Sequence, residues 1–447
     1  MAASHSSPFA LTNVRLFLAF RIFFNARFYY PVFTVLFLDY GLSIEEFALL
    51  NTVWAFTIVL AEVPSGALAD LIGRKRLLLT TAFCMLWEML LLAFVPLGNH
   101  SLVFSVFLLN RVLSGLAEAM ASGADEAMAY DTLVREGLED TWPQVLEMEM
   151  RLRSLVHVVA MTLGALLYDP SMVNRLLDLL GSSRVVTQEI TMRFPVFLTL
   201  GLAVLALVTV LRMQDLRPDE EASELNTAST REVFSLTLNA GRWIWQTPFA
   251  LAVIGFAMVF DHVLRMLVTL ASQYYRVIGL PEASFGIIGS AIALLGVFVP
   301  RLARWMVERY SPARNLLWLC VLSILTLLGL TLFIPYFGVL PMMLVFSIMM
   351  MTSFFTSHYL NQLADSRQRA TILSFKGLAF NAAYGSIGIL YALLVAKLRA
   401  AQHTGVSADL IEDLAFRQSI TWFPGYLVVG LLLTALLTLP RFRHSAK

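Results

Sequence analysis

Stretches of roughly 20 apolar residues, each long enough to cross a bilayer, recur along the whole of this chain. We read twelve of them, over about 14–38, 46–67, 77–97, 101–127, 153–168, 194–211, 248–272, 284–305, 315–335, 338–360, 371–396 and 419–439. Such a chain cannot cover its apolar surface in water: 58% of its 447 residues are hydrophobic and 14% are charged, where soluble domains carry about 25% charged residues. In lipid each backbone polar group must be satisfied within its own segment, so the pattern predicts an all-α integral membrane protein. No charged region followed by a small-residue cleavage site marks a signal peptide.

Charge then orients the segments. With the N-terminus inside, the inner loops hold most of the Lys and Arg, among them Arg15, Arg74, Lys75, Arg76, Arg151, Arg153 and Arg441. The outer loops hold Arg175, Arg184, Arg193, Arg276, Lys397, Arg399 and Arg417. The asymmetry predicts a multi-pass protein of the cell (inner) membrane with both termini in the cytoplasm. A net charge of +1 gives no reason to expect a nucleic-acid partner. Cys84 and Cys320 sit within segments, and no Cys/His cluster has ligand spacing, so neither disulfide, metal nor cofactor is expected.

The segments divide six and six around a polar stretch. This gives an N-terminal bundle over 1–211, a linker over 212–247 and a C-terminal bundle over 248–447. The linker's second part, from Ser229-Thr-Arg-Glu232 to Trp245, reads as a capped amphipathic helix at the inner surface. A constant offset of 238 residues relates the halves: Gly41 meets Gly279, Phe47 meets Phe285, Asp70 meets Glu308 and Arg76 meets Arg314.

Between the second and third segments runs Gly66-Ala-Leu-Ala-Asp70-Leu-Ile-Gly73-Arg74-Lys75-Arg76. Gly66 permits close helix approach and Gly73 a tight reversal, while Asp70 offers a carboxylate to a helix N-terminus or a guanidinium. The stretch resembles the signature of the major facilitator superfamily. That resemblance implies twelve transmembrane helices in two pseudo-symmetric six-helix halves, a monomer that moves a small molecule by alternating access. It also implies that segments one, four, seven and ten line a central cavity. Gly66, Asp70, Gly73 and Arg74, with Asp125 and Glu126, would form the cytoplasmic gate, an ion-pair network that breaks when the gate opens.

Ionisable groups at bilayer depth cost about 3 kcal/mol each and normally face a cavity or a partner. On segment one Arg21 and Asn25 share a face, and Arg27 groups with Tyr30. Under the 238 offset Arg27 meets Arg265 on segment seven, so the two would make a cationic clamp for a carboxylate or phosphate. Asp261, four residues before Arg265, makes a structural pair an equal alternative. On segment four Arg111, Ser114, Gly115, Glu118, Ser122 and Asp125 form one polar stripe. Asn110-Arg111-Val-Leu-Ser-Gly115 resembles a second superfamily motif, whose arginine handles protons in coupled members. Arg111 with Glu118 would then exchange a proton, or else form a static pair. Lys376 is grouped with the gate, and Glu88 beside Trp87 needs a partner the sequence does not name.

Segment five, Met161-Thr-Leu-Gly164-Ala-Leu-Leu-Tyr168, lacks the Gly-Pro-rich run of the superfamily's drug/proton antiporters. The expectation is therefore a proton-coupled secondary transporter of a small anionic solute: an organic acid, a phosphorylated metabolite or a carboxylate siderophore. The alternative is a multidrug/proton antiporter in which Glu118 and Asp261 attract cationic amphiphiles. An enzyme is not expected, for want of a nucleophile–base or metal constellation, and no phosphate-binding G-x-x-x-x-G-K-[ST] loop points to ATP.

Overall fold

The computed structural model describes residues 7–122, 124–214, 241–363, 366–401 and 408–445, and among these the regular structure is helical throughout. Eleven stretches of helix are long and apolar enough to cross a membrane. A twelfth predicted segment, the first, is broken. It forms α1 (Thr12–Asn25), then a non-helical turn and a single 3-10 turn at Tyr30–Val32, then α2 (Phe33–Asp39). The chemistry of the break is local. Pro31 has no N–H to give the helix and disfavours helical backbone at Tyr30, while the Asn25 amide folds back onto the Arg21 carbonyl at 2.7 Å.

The rest of the first half follows as α3 (Ile44–Ile72), α4 (Arg74–Phe94), α5 (His100–Ala121), α6 (Ala124–Arg135), α7 (Trp142–Tyr168), α8 (Pro170–Leu179), α9 (Gln188–Thr191) and α10 (Phe194–Arg212). Gly73, at φ 94°, turns the chain between α3 and α4, a conformation that needs glycine. The long loop after α7 is ordered by α8, which Asp169 caps by accepting from the Ser171 N–H at 2.8 Å. The predicted linker helix lies mostly outside the described residues; 241–246 are helical, with Ile244 buried against Leu360 and Ile372.

The second half contains α11 (Pro248–Thr269), α12 (Ala271–Val277), α13 (Ala283–Arg309), α14 (Pro312–Thr331), α15 (Val339–Leu363), α16 (Ser366–Ala400), α17 (Ala408–Ile420) and α18 (Phe423–Ser445). Segment seven, like segment one, is interrupted, at Leu270 between α11 and α12. No proline or glycine marks that interruption.

By internal contacts the chain forms two compact units. One holds the residues through Pro31 and those from Thr57 through α10; the other holds Val32–Phe56 together with the second half. In the first unit α1 packs on α6, α7 and α10, and α4 on α5 and α10. In the second, α11 is central, against α15, α16 and α18. Small residues bring these helices close: a Cβ on Gly255 would meet Thr434 at 3.0 Å, and one on Gly430 would meet Val259 at 3.0 Å. Hydroxyls along the apolar helices, such as those of Thr81 and Thr352, donate to the carbonyl one turn earlier, which satisfies them without a partner helix.

Candidate functional site

Four polar groupings stand out of this apolar frame, two in each unit. The first lies at the end of the first unit that carries the glycine-rich loop. Arg74, one residue past Gly73, pairs with Asp131 of α6. Arg21 of α1 reaches Asp125 at 3.1 Å, Glu126 at 3.0 Å and Glu149 of α7 at 3.5 Å, and Glu149 also meets Arg153 at 3.5 Å. Asp125 is buried at the N-terminus of α6, where its carboxylate also accepts the Glu126 N–H at 2.8 Å. Arg21, expected to touch solute, thus sits among the acids expected to form the gate. Glu149, buried in the same cluster, was not singled out from the sequence; its signal was one acid on the inward face of a run rich in surface charge. Gly66 and Asp70 lie on α3, with their surroundings outside the described residues.

The second grouping surrounds the break in the first helix. Arg27 is buried there and pairs with Glu88 of α4, whose side chain is fully buried. The partner that Glu88 required is therefore the arginine expected to clamp solute. Asn110 of α5 donates to the Glu88 carbonyl at 2.9 Å, and its own amide oxygen accepts from Arg111 at 3.0 and 2.8 Å. Arg111 also hydrogen-bonds Tyr29. The Phe28 N–H is taken by Thr199 of α10 at 3.1 Å. The Phe28 carbonyl lies so close to α7 that a Cβ on Gly164 would be 1.7 Å from its oxygen. Glu118, two turns along the same helical face from Arg111, is exposed, within electrostatic range of Arg27 and Tyr30. Tyr30 is 44% exposed and Asn25 half-buried.

The third grouping belongs to the second unit. Arg265 on α11 binds Asp261 through one terminal nitrogen at 2.7 Å and donates through the other to the Asn381 amide oxygen of α16 at 2.9 Å. Its guanidinium lies 5.4 Å from the ring of Tyr384, whose hydroxyl bonds Thr269 at 2.9 Å. Lys376 of α16, grouped by sequence with the gate, lies within electrostatic range of both Asp261 and Arg265. Its ammonium sits 5.6 Å from the Phe380 ring centroid. Unlike Arg27, these groups stay partly open: the Arg265 side chain is 28% exposed and that of Asp261 14%. Asn381 and Tyr384, uncharged and inside a long apolar run, carried no signal in the sequence.

The fourth grouping, also within the second unit, ties Val32–Phe56 to the second half. The Thr34 N–H donates to the Ser272 hydroxyl at 2.9 Å, and the Thr34 hydroxyl to the Thr269 carbonyl. Thr34 and Ser272 are one repeat offset of 238 apart. Arg276 donates through both terminal nitrogens to Asp39 at 2.8 Å and through Nε to Glu282 at 2.9 Å. Arg399 bridges Glu45 at 2.5 Å and Glu412 at 2.6 Å. These arginines, read from sequence as loop charges, each hold two acids. Among the described residues no group of His, Cys, Asp or Glu could hold a metal ion.

Comparison with known proteins follows from this framework. The family model described as Major Facilitator Superfamily matches residues 16–393. The chain belongs to the major facilitator superfamily. No curated protein matches it in sequence. Solved structures of similar fold include a nucleoside transporter, NupG, with TM-score 0.68 and 13% identity over 97% of this chain and 99% of that one. A bacterial homologue of the human lysosomal transporter Spinster gives TM-score 0.68 and 15% identity over 98% of this chain and 99% of that one. A D-xylose-proton symporter gives 0.61 and 12% over 96% of each. At these identities the likeness is one of fold. Membership makes this chain a multi-pass secondary transporter, and the glycine-rich loop after α3 falls inside the matched region.

Proposed function

We propose that the protein carries a small anionic solute across the cell membrane together with protons, by alternating access. The observation that supports this is the third grouping. There two cations, Arg265 and Lys376, surround one carboxylate, Asp261, at membrane depth and partly open to solvent. In the first unit the deep charges balance in number: Arg27 is neutralised by Glu88, and Arg111, held by Asn110 and Tyr29, is matched by Glu118 on the same helix. The excess positive charge therefore lies on α11 and α16, where a guanidinium fork and an ammonium suit an organic acid, a phosphorylated metabolite or a carboxylate siderophore. Arg265, with Asp261, Asn381 and Lys376, is assigned to solute. In the first unit Tyr30 and Asn25 keep the same assignment, on their exposure. Arg27 is assigned to holding the helix break.

The distribution of loop charge supports a topology with both termini in the cytoplasm. The Arg21, Arg74, Asp125, Glu126 and Glu149 grouping, with Gly66, Asp70 and Gly73, then acts as the cytoplasmic gate. Glu118, exposed at depth on α5 and within electrostatic range of Arg27, is assigned to proton exchange. The fold admits such coupling, since a D-xylose-proton symporter shares it. The second reading, a multidrug/proton antiporter, is favoured by the same exposed Glu118, which would attract a cationic amphiphile.

Solute-induced proton flux in proteoliposomes separates the two. The panel sets di- and tricarboxylates, phosphorylated metabolites and carboxylate siderophores against lipophilic cationic dyes. Flux with an anion, cut at least about 10-fold in Arg265→Ala, the equivalent of about 1.4 kcal/mol, is the expected result. Flux with cationic dyes alone overturns the anionic reading.

A further inference from the structure

Counting charge in the α11–α16 grouping narrows the solute further, on the footing that the anionic reading holds. Empty, the cluster carries Arg265 and Lys376 against Asp261, an excess of one positive charge. A monoanion would neutralise it unaided. A dianion would leave one negative charge in excess, which the low dielectric around α11 opposes. The geometry shows where relief would come from. Asp261 holds Arg265 through one oxygen in a short i,i+4 contact, and that oxygen makes no well-aligned hydrogen bond. Arg265's other arm rests on a neutral amide, Asn381. An anion that presents two oxygens side by side could take the whole guanidinium fork while Lys376 reaches the same charge, and Asp261 is then left without its counter-ion.

We propose that the solute is a divalent anion, a dicarboxylate or a phosphate monoester, which displaces Asp261 from Arg265, and that the freed Asp261 carboxylate takes one proton from solvent. The loaded cluster is then neutral: two cations, one dianion, one protonated acid. The other titratable groups on the packed elements are otherwise engaged. On α11, His262 bonds the Met258 carbonyl and, from α18, the Tyr426 hydroxyl at 3.1 Å. On α16, Tyr384 bonds Thr269, Tyr391 bonds Ser419 and Arg399 bridges Glu45 and Glu412; Lys397 lies about six turns beyond Lys376. On α15, Tyr359 accepts from Asn315 and His358 meets Gln362; on α18, Arg441 stacks on Trp245. Binding of the dianion and protonation of Asp261 are thus linked, each favouring the other.

The test is proton uptake on binding. The full-length protein in detergent, weakly buffered near pH 8 (about two units above the dianions' own titration), is titrated with succinate and glucose 6-phosphate as dianions and acetate as monoanion. Calorimetry reports binding and an indicator dye reports protons. The expected result is about one proton taken up per dianion bound and none per acetate, with the proton uptake per bound dianion lost in Asp261→Asn whatever that variant's affinity. Asp261→Glu, which keeps the acid, should take up the proton with an altered affinity, so the inference is tested even where the amide variant fails to fold. Dianion binding without proton uptake, or uptake that persists in Asp261→Asn, overturns this inference and leaves the anionic reading standing. Absence of binding by every anion overturns both.

Discussion

Gly164 shows how little latitude single positions have. A methyl there would stand 1.7 Å from the Phe28 carbonyl oxygen, a backbone atom that cannot swing aside. Gly164→Ala should therefore cost more than the ~1–3 kcal/mol of ordinary overpacking, read as a lowered midpoint of thermal unfolding in detergent. Gly201→Ala, where a methyl meets nothing within 4 Å, should leave the midpoint unchanged. Arg27 and Glu88 make a second residue-scale case. Removing either partner strands a buried charge and should cost about 3–5 kcal/mol, whereas the double variant Arg27→Met/Glu88→Leu should recover most of that. A double variant no more stable than the worse single one would mean that the pair does more than neutralise itself. The sequence marked both residues as costly and needing partners, because a charge inside an apolar run is visible by eye. It did not join them, because a partner 61 positions away depends on where the first helix breaks and which helices then meet.

At the scale of elements, the long apolar runs were readable nearly to their ends, since hydrophobicity and length alone decide them. The interruptions were not. Segment one reads as continuous, with Pro31 as the sole local sign of a break, and segment seven gives no sign at all. Both interruptions leave a short helix, α2 and α12, and these two pack on each other within the second unit. Thr34–Ser272 and Arg276–Asp39 are the joints. Arg276→Glu sets a third negative charge beside Asp39 and Glu282. It should speed amide hydrogen exchange in Phe33–Asp39 and Ala271–Val277 by at least about 10-fold, with α1 unchanged. Equal protection in variant and parent would show that the apolar contacts of α2 suffice. Individually such partly exposed pairs hold little, about 0–1 kcal/mol.

For the whole molecule, the repeat was legible as an offset of 238 residues, and the hydrogen bond between Thr34 and Ser272 joins two residues at that same offset. What the sequence could not assign was the sharing of charge among helices: the Arg21, Arg27 and Arg265 groupings each join residues more than 60 positions apart. If the dianion crosses in a neutral cluster and Asp261, rather than Glu118, carries the single proton of the cycle, the empty carrier returns with one positive charge. Turnover should then respond to an imposed membrane potential, by roughly 2.3 kcal/mol per charge per 100 mV across the full field. Potassium-diffusion potentials in proteoliposomes check this, and indifference to potential counts against the charge count. The broken first helix has a consequence for how the protein is made. α1 has 14 residues, a rise of about 21 Å against a hydrocarbon core of about 30 Å, and the segment bears Arg21 and Arg27. Their acids, Glu88, Asp125, Glu126 and Glu149, all emerge from the ribosome later. Segment one should therefore seat stably only once α4 has followed it with the Glu88 carboxylate, so that in this bundle assembly lags behind synthesis.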